Sequence, residues 1–243
     1  MGAGFLRVIT ERDMSRVLII GDSHCPAMHP RYPEWLQEMY AQWQCERVVV
    51  IGDLVDNLAL NFHKKNPKLK NPIAEKEKAQ NQIDQLTKAF PKADWLLGNH
   101  DILPWRWADE VGLPHEYLRK PNQIWNVKWK VHPRYFDLKI DNVLYRHGDK
   151  GKGGRLAALT NANAEHCSLI QGHYHQQGGV EYLANSKQRI FGCQTGCGVS
   201  DKSLHFEYGR RYNRKSVLGC AICVDGHTAY FEPMPTKLAK DLK

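Results

Sequence analysis

Five short apolar runs punctuate the chain, and each ends in a polar cluster of the same kind. Val17 to Ile20 gives way to Gly21-Asp22-Ser23-His24, and Val48 to Ile51 to Gly52-Asp53-Leu54-Val55-Asp56. Trp95-Leu96-Leu97 leads into Gly98-Asn99-His100-Asp101, Val143-Leu144-Tyr145 into His147-Gly148-Asp149, and Ser168-Leu169-Ile170 into Gly172-His173-Tyr174-His175. A continuous apolar run of this length, closed by a turn glycine, predicts a strand buried on both faces. Helical spacing fills the gaps. After Pro33, residues Trp35, Leu36, Met39, Tyr40 and Trp43 fall three and four apart, and Ala79, Ile83, Leu86 and Phe90 form a second stripe ended by Pro91. Strands alternating with helices predict an α/β fold, in which ligands sit beyond the carboxyl ends of the strands. The Asp, Asn and His residues therefore fall where chemistry is expected.

The remaining pattern is more mixed. Residues 121–147 alternate apolar and polar (Ile124, Trp125, Val127, Trp129, Val131; then Tyr135, Phe136, Leu138, Ile140) and predict β structure. The segments Val180 to Leu183, Arg189 to Phe191, Val217 to Val224 and Ala229 to Phe231 also predict strands. Residues 58–80 form the most polar stretch, a basic insertion rooted beside Asp53 and Asp56. The reading is a solvated loop or a basic lip for an anionic substrate. Trp105-Arg106-Trp107 is expected either in the core of a short helix or stacking on a base. Gly148 to Arg155, glycine-rich and cationic ahead of a helix at 156–160, suits an anion, although it lacks the spacing of a P-loop. With no repeat or linker to cut it, the chain reads as a single domain, 1–243, with a loose arm or short edge strand at 1–14 and a frayed tail from 237.

Composition narrows the picture modestly. A chain of 243 residues can bury a large core unaided, and its net charge of +8 attracts polyanions at moderate salt. Seven cysteines, an odd number, with Arg7 interrupting the apolar start, predict reduced thiols in a cytoplasmic protein. No run approaches the roughly 18 apolar residues of a membrane span, so no membrane partner is expected. Cys193 and Cys197, with Cys220 and Cys223, faintly suggest a zinc site. But residues three apart on a strand point to opposite faces, so buried free thiols are the better reading.

The strand ends together offer Asp22, His24, Asp53, Asn99, His147, His173 and His175. Imidazole and carboxylate suit first-row divalent ions, and seven donors are more than one ion takes while leaving room for substrate. Two ions sharing a carboxylate use them naturally.

Asp22-x-His24, Gly52-Asp53-x-x-Asp56, Gly98-Asn99-His100-Asp101, His147 and Gly172-His173-x-His175 resemble the five blocks of the calcineurin-like metallophosphoesterases over about residues 16–175. The resemblance implies an α/β/β/α sandwich of four layers, two mixed β-sheets flanked by helices. It implies that Asp22, His24, Asp53 and His175 hold one metal, and Asp53, Asn99, His147 and His173 a second. Mn²⁺ is the foremost ion, with Fe, Zn, Co and Ni also suited. His100 would act on the scissile phosphate as proton donor, oriented by Asp56 or Asp101. Two such ions can grip a bridging water and lower its pKa for in-line attack on phosphorus.

The phosphoprotein phosphatase branch of that family carries arginines where this chain has Asn57 and Leu97. A monoester dianion needs cationic clamps more than a diester monoanion does. The expectation is therefore a phosphodiesterase or nuclease acting on a nucleotide or single-stranded nucleic acid, with Arg106, Lys150, Lys152 and Arg155 as substrate-binding residues. A phosphomonoesterase is the rival enzyme reading, and a metal-binding scaffold without catalysis the reading from another class.

Overall fold

A computed structural model describes residues 15–62, 67–200, 202–203, 215–235 and 237. The arm at 1–14, Lys64 and Lys65 of the basic insertion, and the tail past 237 lie outside the described residues.

Two sheets stack face to face. The first contains β1 (Arg16–Ile20), β2 (Arg47–Val50), β3 (Asp94–Leu96) and β4 (Lys130–His132), side by side and parallel. The antiparallel strands β10 (Gly219–Val224) and β11 (Thr228–Pro233) extend it beyond β1. The second holds β5 (Leu138–Ile140), β6 (Val143–Arg146), β7 (Leu169–Gln171), β8 (Gly178–Ala184) and β9 (Arg189–Thr195), in the order β5-β6-β7-β9-β8. Helices α1 (Tyr32–Gln42), α2 (Pro72–Ala89), α3 (Leu103–Glu110), α4 (Pro121–Ile124) and α5 (Ala157–Ala164) flank the sheets.

The continuous apolar runs follow from burial on both faces. Along β1, Val17 and Ile19 pack between the sheets with Tyr145, Ile170 and Phe191. Leu18 and Ile20 point the other way, onto Trp35 and Leu36 of α1 and Ile83 and Leu86 of α2. On the far side of the second sheet, Ala162 of α5 packs on Leu169 and Ile190. The result is the four-layer α/β/β/α arrangement. Cys220 lies in the outer core and Cys223 in the core between the sheets, on opposite faces of β10, and all seven thiols are free.

Three expectations change. In the polar stretch at 58–80, Leu58–Leu60 and Pro67–Leu69 are 3₁₀ turns, and Asn71, whose side-chain Oδ1 accepts from the amides of Ile73 and Ala74 at 3.1 Å, starts α2 at Pro72. Glu75 of that helix then takes the amides of Leu58 and Ala59 at 2.6 and 2.8 Å, tying the loop down. The alternation at 121–147 is only partly strand. Pro121 opens a helical turn, and Trp125, Val127 and Trp129 bury their side chains without pairing until β4. Trp105 and Trp107 do lie on a short helix but not in the core. Trp107 is half-exposed, stacked on Phe62 with centroids 4.7 Å apart, and Arg106 covers the Phe62 ring at 4.8 Å.

Candidate metal centre

The parallel strands β1, β2, β3 and the pair β6, β7 open at one end of the stacked sheets, so their five polar termini meet. Main-chain bonds stitch them together: the amide of His24 donates to the Asp53 carbonyl and that of Gly172 to the His147 carbonyl, both at 2.9 Å. The amide of His173 reaches both oxygens of Asp22 at 3.0 and 2.9 Å, and that of His100 donates to Asp53 Oδ1 at 2.8 Å. His24, Asp53 and His173 all hold positive φ, between 44 and 69°. Strained backbone of this sort clusters where side chains must be aimed at a ligand.

Glycine is required beside the carboxylates. A Cβ at Gly172 would strike Asp22 Oδ1, and one at Gly98 would strike Asp53 Oδ1. The turn glycines of the sequence pattern thus make room for the acidic groups to sit against main chain.

The expected ligands converge in two groups, and His24, Asp56 and His100 come together as a third. The ligating atoms of Asp22, His24 and His175 lie within 4.8 Å of one another, and so do those of Asp53, His147 and His173. His175 Nε2 sits 2.9 Å from Asp22 Oδ2 and 3.0 Å from His24 Nε2. His147 Nε2 sits 3.0 Å from Asn99 Oδ1 and 3.2 Å from Asp53 Oδ2. Asp53 Oδ2 is also 3.5 Å from His24 Nε2, so this one carboxylate faces both groups.

The tautomers follow from the partners. His24 Nδ1 meets the Asp56 carboxylate at 3.1 Å, His147 Nδ1 the Ile51 carbonyl at 3.1 Å, and His100 Nδ1 the Asp56 carbonyl at 2.7 Å. Each partner only accepts, so each Nδ1 carries hydrogen and each Nε2 turns inward. Inward-facing imidazole nitrogens around a shared, buried carboxylate are a donor set that fits a pair of divalent ions.

The charges are correspondingly perturbed. Burial would raise Asp53, but the charges of His147 and His100 outweigh it and hold the carboxyl well below its usual range. Burial likewise opposes Asp22, which the His175 hydrogen bond and the charge of His147 keep low. Burial pushes His24 and His173 down. His147 resists burial because Asp53 lies beside it and is pushed up to about 10. His100 is also held at about 10, against burial, by Asp53 and Asp56.

Of the two carboxylates expected to orient His100, Asp56 meets it. Its Oδ1 is 3.2 Å from the Nδ1 that its own carbonyl also engages. Asp101 does not reach His100; it accepts from the amides of Gly98 at 2.8 Å and Val55 at 3.1 Å, joining two strand ends. Burial and the nearby charge of Asp53 raise its pKa to about 7.

A cavity of about 310 Å³ lies over the centre, lined by His24, Asp53, Asn99, His100, His173 and His175 with Tyr174, Gln176 and Gln177. None of the four cations expected to bind substrate is among its lining residues. Lys150 lies 3.8 Å from Asp137, Arg106 covers Phe62, Lys152 is exposed, and Arg155 lines a neighbouring cavity. The turn that carries three of them nevertheless abuts the centre, since a Cβ at Gly153 would come within 2.8 Å of the Tyr174 hydroxyl.

Sequence reasoning passed over Asp149, which Arg134 holds at 2.7 Å and whose charge acts on His147 and His173. Its place one residue after the His147-Gly148 pair was the available signal. It also passed over Gln176 and Gln177, for which no motif exists.

Among the described residues, no helix is long and apolar enough to cross a membrane. The calcineurin-like phosphoesterase family model matches residues 15–228. No curated protein matches the chain. Among solved structures, Vacuolar Protein Sorting 29 from Cryptosporidium parvum is similar at 12% identity and TM-score 0.46, covering 91% of this chain and 98% of that one. Vps29 from Chaetomium thermophilum gives 12% and 0.46, with 90% and 97% covered. The phosphoesterase YfcE from E. coli gives 14% and 0.37, with 88% and 96% covered.

Proposed function

The chain belongs to the calcineurin-like phosphoesterase family, and from that premise we propose that it hydrolyses phosphodiesters of nucleotides or single-stranded nucleic acid with two divalent ions, Mn²⁺ foremost. The observation that carries this reading is the pair of donor groups on either side of Asp53, with His100 tied back to Asp56 beside them. Asp22, His24, Asp53 and His175 would hold one ion, and Asp53, Asn99, His147 and His173 the other. When bound, such ions supply Lewis-acid stabilisation of charge on phosphoryl oxygens and an activated water.

The chain's own residues do the rest. His100 lines the cavity with its Nδ1 turned to Asp56, which leaves Nε2 as the nitrogen that would carry a proton to a departing alkoxide. Asp56 fixes that ring through Nδ1 and orients His24 through the same carboxylate oxygen. Asn57, where an arginine clamp would stand in a phosphoprotein phosphatase, turns its amide to the His100 carbonyl at 3.0 Å, and Leu97 is buried. Neither position offers a cation to a dianionic monoester, which favours a diester. The complete donor set and His100 favour an enzyme over a scaffold.

A comparison of methyl p-nitrophenyl phosphate with p-nitrophenyl phosphate on Mn²⁺-loaded protein tests this. The diester should have the higher kcat/KM; a higher value for the monoester overturns the diester reading.

A further inference from the structure

The second sheet ends in a long, bare edge. β8 pairs with β9 in unbroken antiparallel register, and among the described residues no strand pairs with its other side. The Asn185 amide closes the hairpin on the Gln188 carbonyl at 2.9 Å. By the alternation of an antiparallel ladder, Gly179, Glu181 and Leu183 therefore turn their main-chain groups to β9. Those of Val180, Tyr182 and Ala184 point outward, and among the described residues none of them meets a main-chain partner. Residues 181–184 are all exposed, Tyr182 and Leu183 each by 43%. Proteins blunt such an edge with lysine, proline or a bulge, and Gly178–Ala184 carries none of these.

We propose that β8 pairs with β8 of a second copy, antiparallel across a two-fold axis, so that two five-stranded sheets become one. Outward groups must meet outward groups, and charge selects the register among those that do. With Glu181 on the axis two carboxylates would stand directly opposite each other, and with Tyr182 there they would lie on a diagonal. With Leu183 on the axis, Glu181 lies instead on the diagonal from Lys187 of the partner subunit, and symmetry repeats the pair. The two Leu183 side chains then face each other in a non-hydrogen-bonded pair, where side chains come closest, and cover apolar surface that one copy leaves exposed. Tyr182 exchanges both outward main-chain bonds with Ala184 of the partner subunit, again twice by symmetry. An edge that supplies both the carboxylate and the ammonium for its own counterpart fits a second copy. A single strand pair is a small interface, so the dimer is a weak and reversible one.

Sedimentation equilibrium of the whole chain over a range of concentrations should show monomer and dimer exchanging. Leu183→Lys sets two ammonium groups opposite each other on the axis. Ala184→Pro removes an outward N–H at a place where an edge strand accepts proline. Each should weaken the dimer about tenfold or more, with the thermal unfolding transition retained. Leu183→Cys, with the two Cβ atoms about 4.5–5.5 Å apart, should form a disulfide-linked dimer on oxidation in air with copper phenanthroline. Wild type and Glu181→Cys, which faces Asn185 rather than its own counterpart, should not. A wild type that stays monomeric throughout leaves the edge to some other extended segment and overturns the pairing, and so does a dimer that both variants leave unchanged. Should either variant lose its unfolding transition, the cross-link decides: a covalent dimer from Leu183→Cys upholds the pairing, and its absence overturns it.

Discussion

A buried file of side-chain amides ties the cationic turn to the metal centre, and cutting it should be costly. The Lys152 amide donates to Asn161 Oδ1 at 2.9 Å, and Asn161 Nδ2 donates to Gln171 Oε1 at 3.0 Å. Gln171 Nε2 donates to Gln194 Oε1 at 3.2 Å, and Gln194 Nε2 donates to the Gly172 carbonyl, one residue before His173. All three side chains are at most 5% exposed. Gln171→Leu keeps the volume but strips the middle link, leaving Gln194 Oε1 unpaired and Asn161 Nδ2 with only the 3.3 Å contact to Lys152 O. Each buried polar atom left without a partner costs about 1–3 kcal/mol. Because Asn161 keeps one weak bond, the expected loss is about 2–4 kcal/mol, or roughly 4–16 °C in Tm for a chain of this length. Thermal unfolding in excess chelator measures it free of any stabilisation by bound ions. Adding Gln194→Leu should cost less than the two single losses predict, by about 1 kcal/mol or more, since the pair then leaves together. A Tm within about 2 °C of wild type, or strict additivity in the double variant, would refute the reasoning.

Two further outcomes are expected. His100→Ala should keep its full metal content while the diester rate falls roughly 10²–10⁴-fold, and metal analysis beside kinetics checks both; a loss of metal would make His100 a ligand. In chelator, His147 and His100 sit at about 10, above the ordinary imidazole value of 6.5. The stability they contribute is present in full below 6.5 and is lost as pH rises through about 10. Stability of the chelated protein should therefore fall between pH 6.5 and 8.5, and less so in His147→Gln. Metal affinity should climb over the same range as an ion displaces the His147 proton. Unfolding curves across pH that stay flat in chelator would contradict this.

The sheet and its termini were legible because two constraints coincide there. A strand buried on both faces must be apolar throughout, as Val17 to Ile20 are, and a chain that brings acids against main chain needs Gly98 and Gly172. Both leave marks at fixed spacing. The start of α2 was less legible: Ala79, Ile83 and Leu86 face the core, but the first turns are mostly exposed and charged, so they merged with the loop before them. The signal was Asn71-Pro72, a cap followed by a proline at the first helical position. Trp125, Val127 and Trp129 mimic a strand because alternate side chains reach the outer core from an unpaired segment. The amide file was not legible at all. Its partners lie up to 23 residues away, and glutamine carries no spacing rule.

The most direct test of the account counts ions and turnover together. Protein stripped by chelator is reloaded with Mn²⁺ in steps, with metal content and diester hydrolysis followed on the same samples, for wild type and for Asp53→Asn. Two ions per chain are expected, with hydrolysis only once both are bound and loss of the pair when the carboxylate facing both donor groups is weakened. Turnover in excess chelator, or an Asp53→Asn protein that holds two ions and works at the wild-type rate, would contradict it.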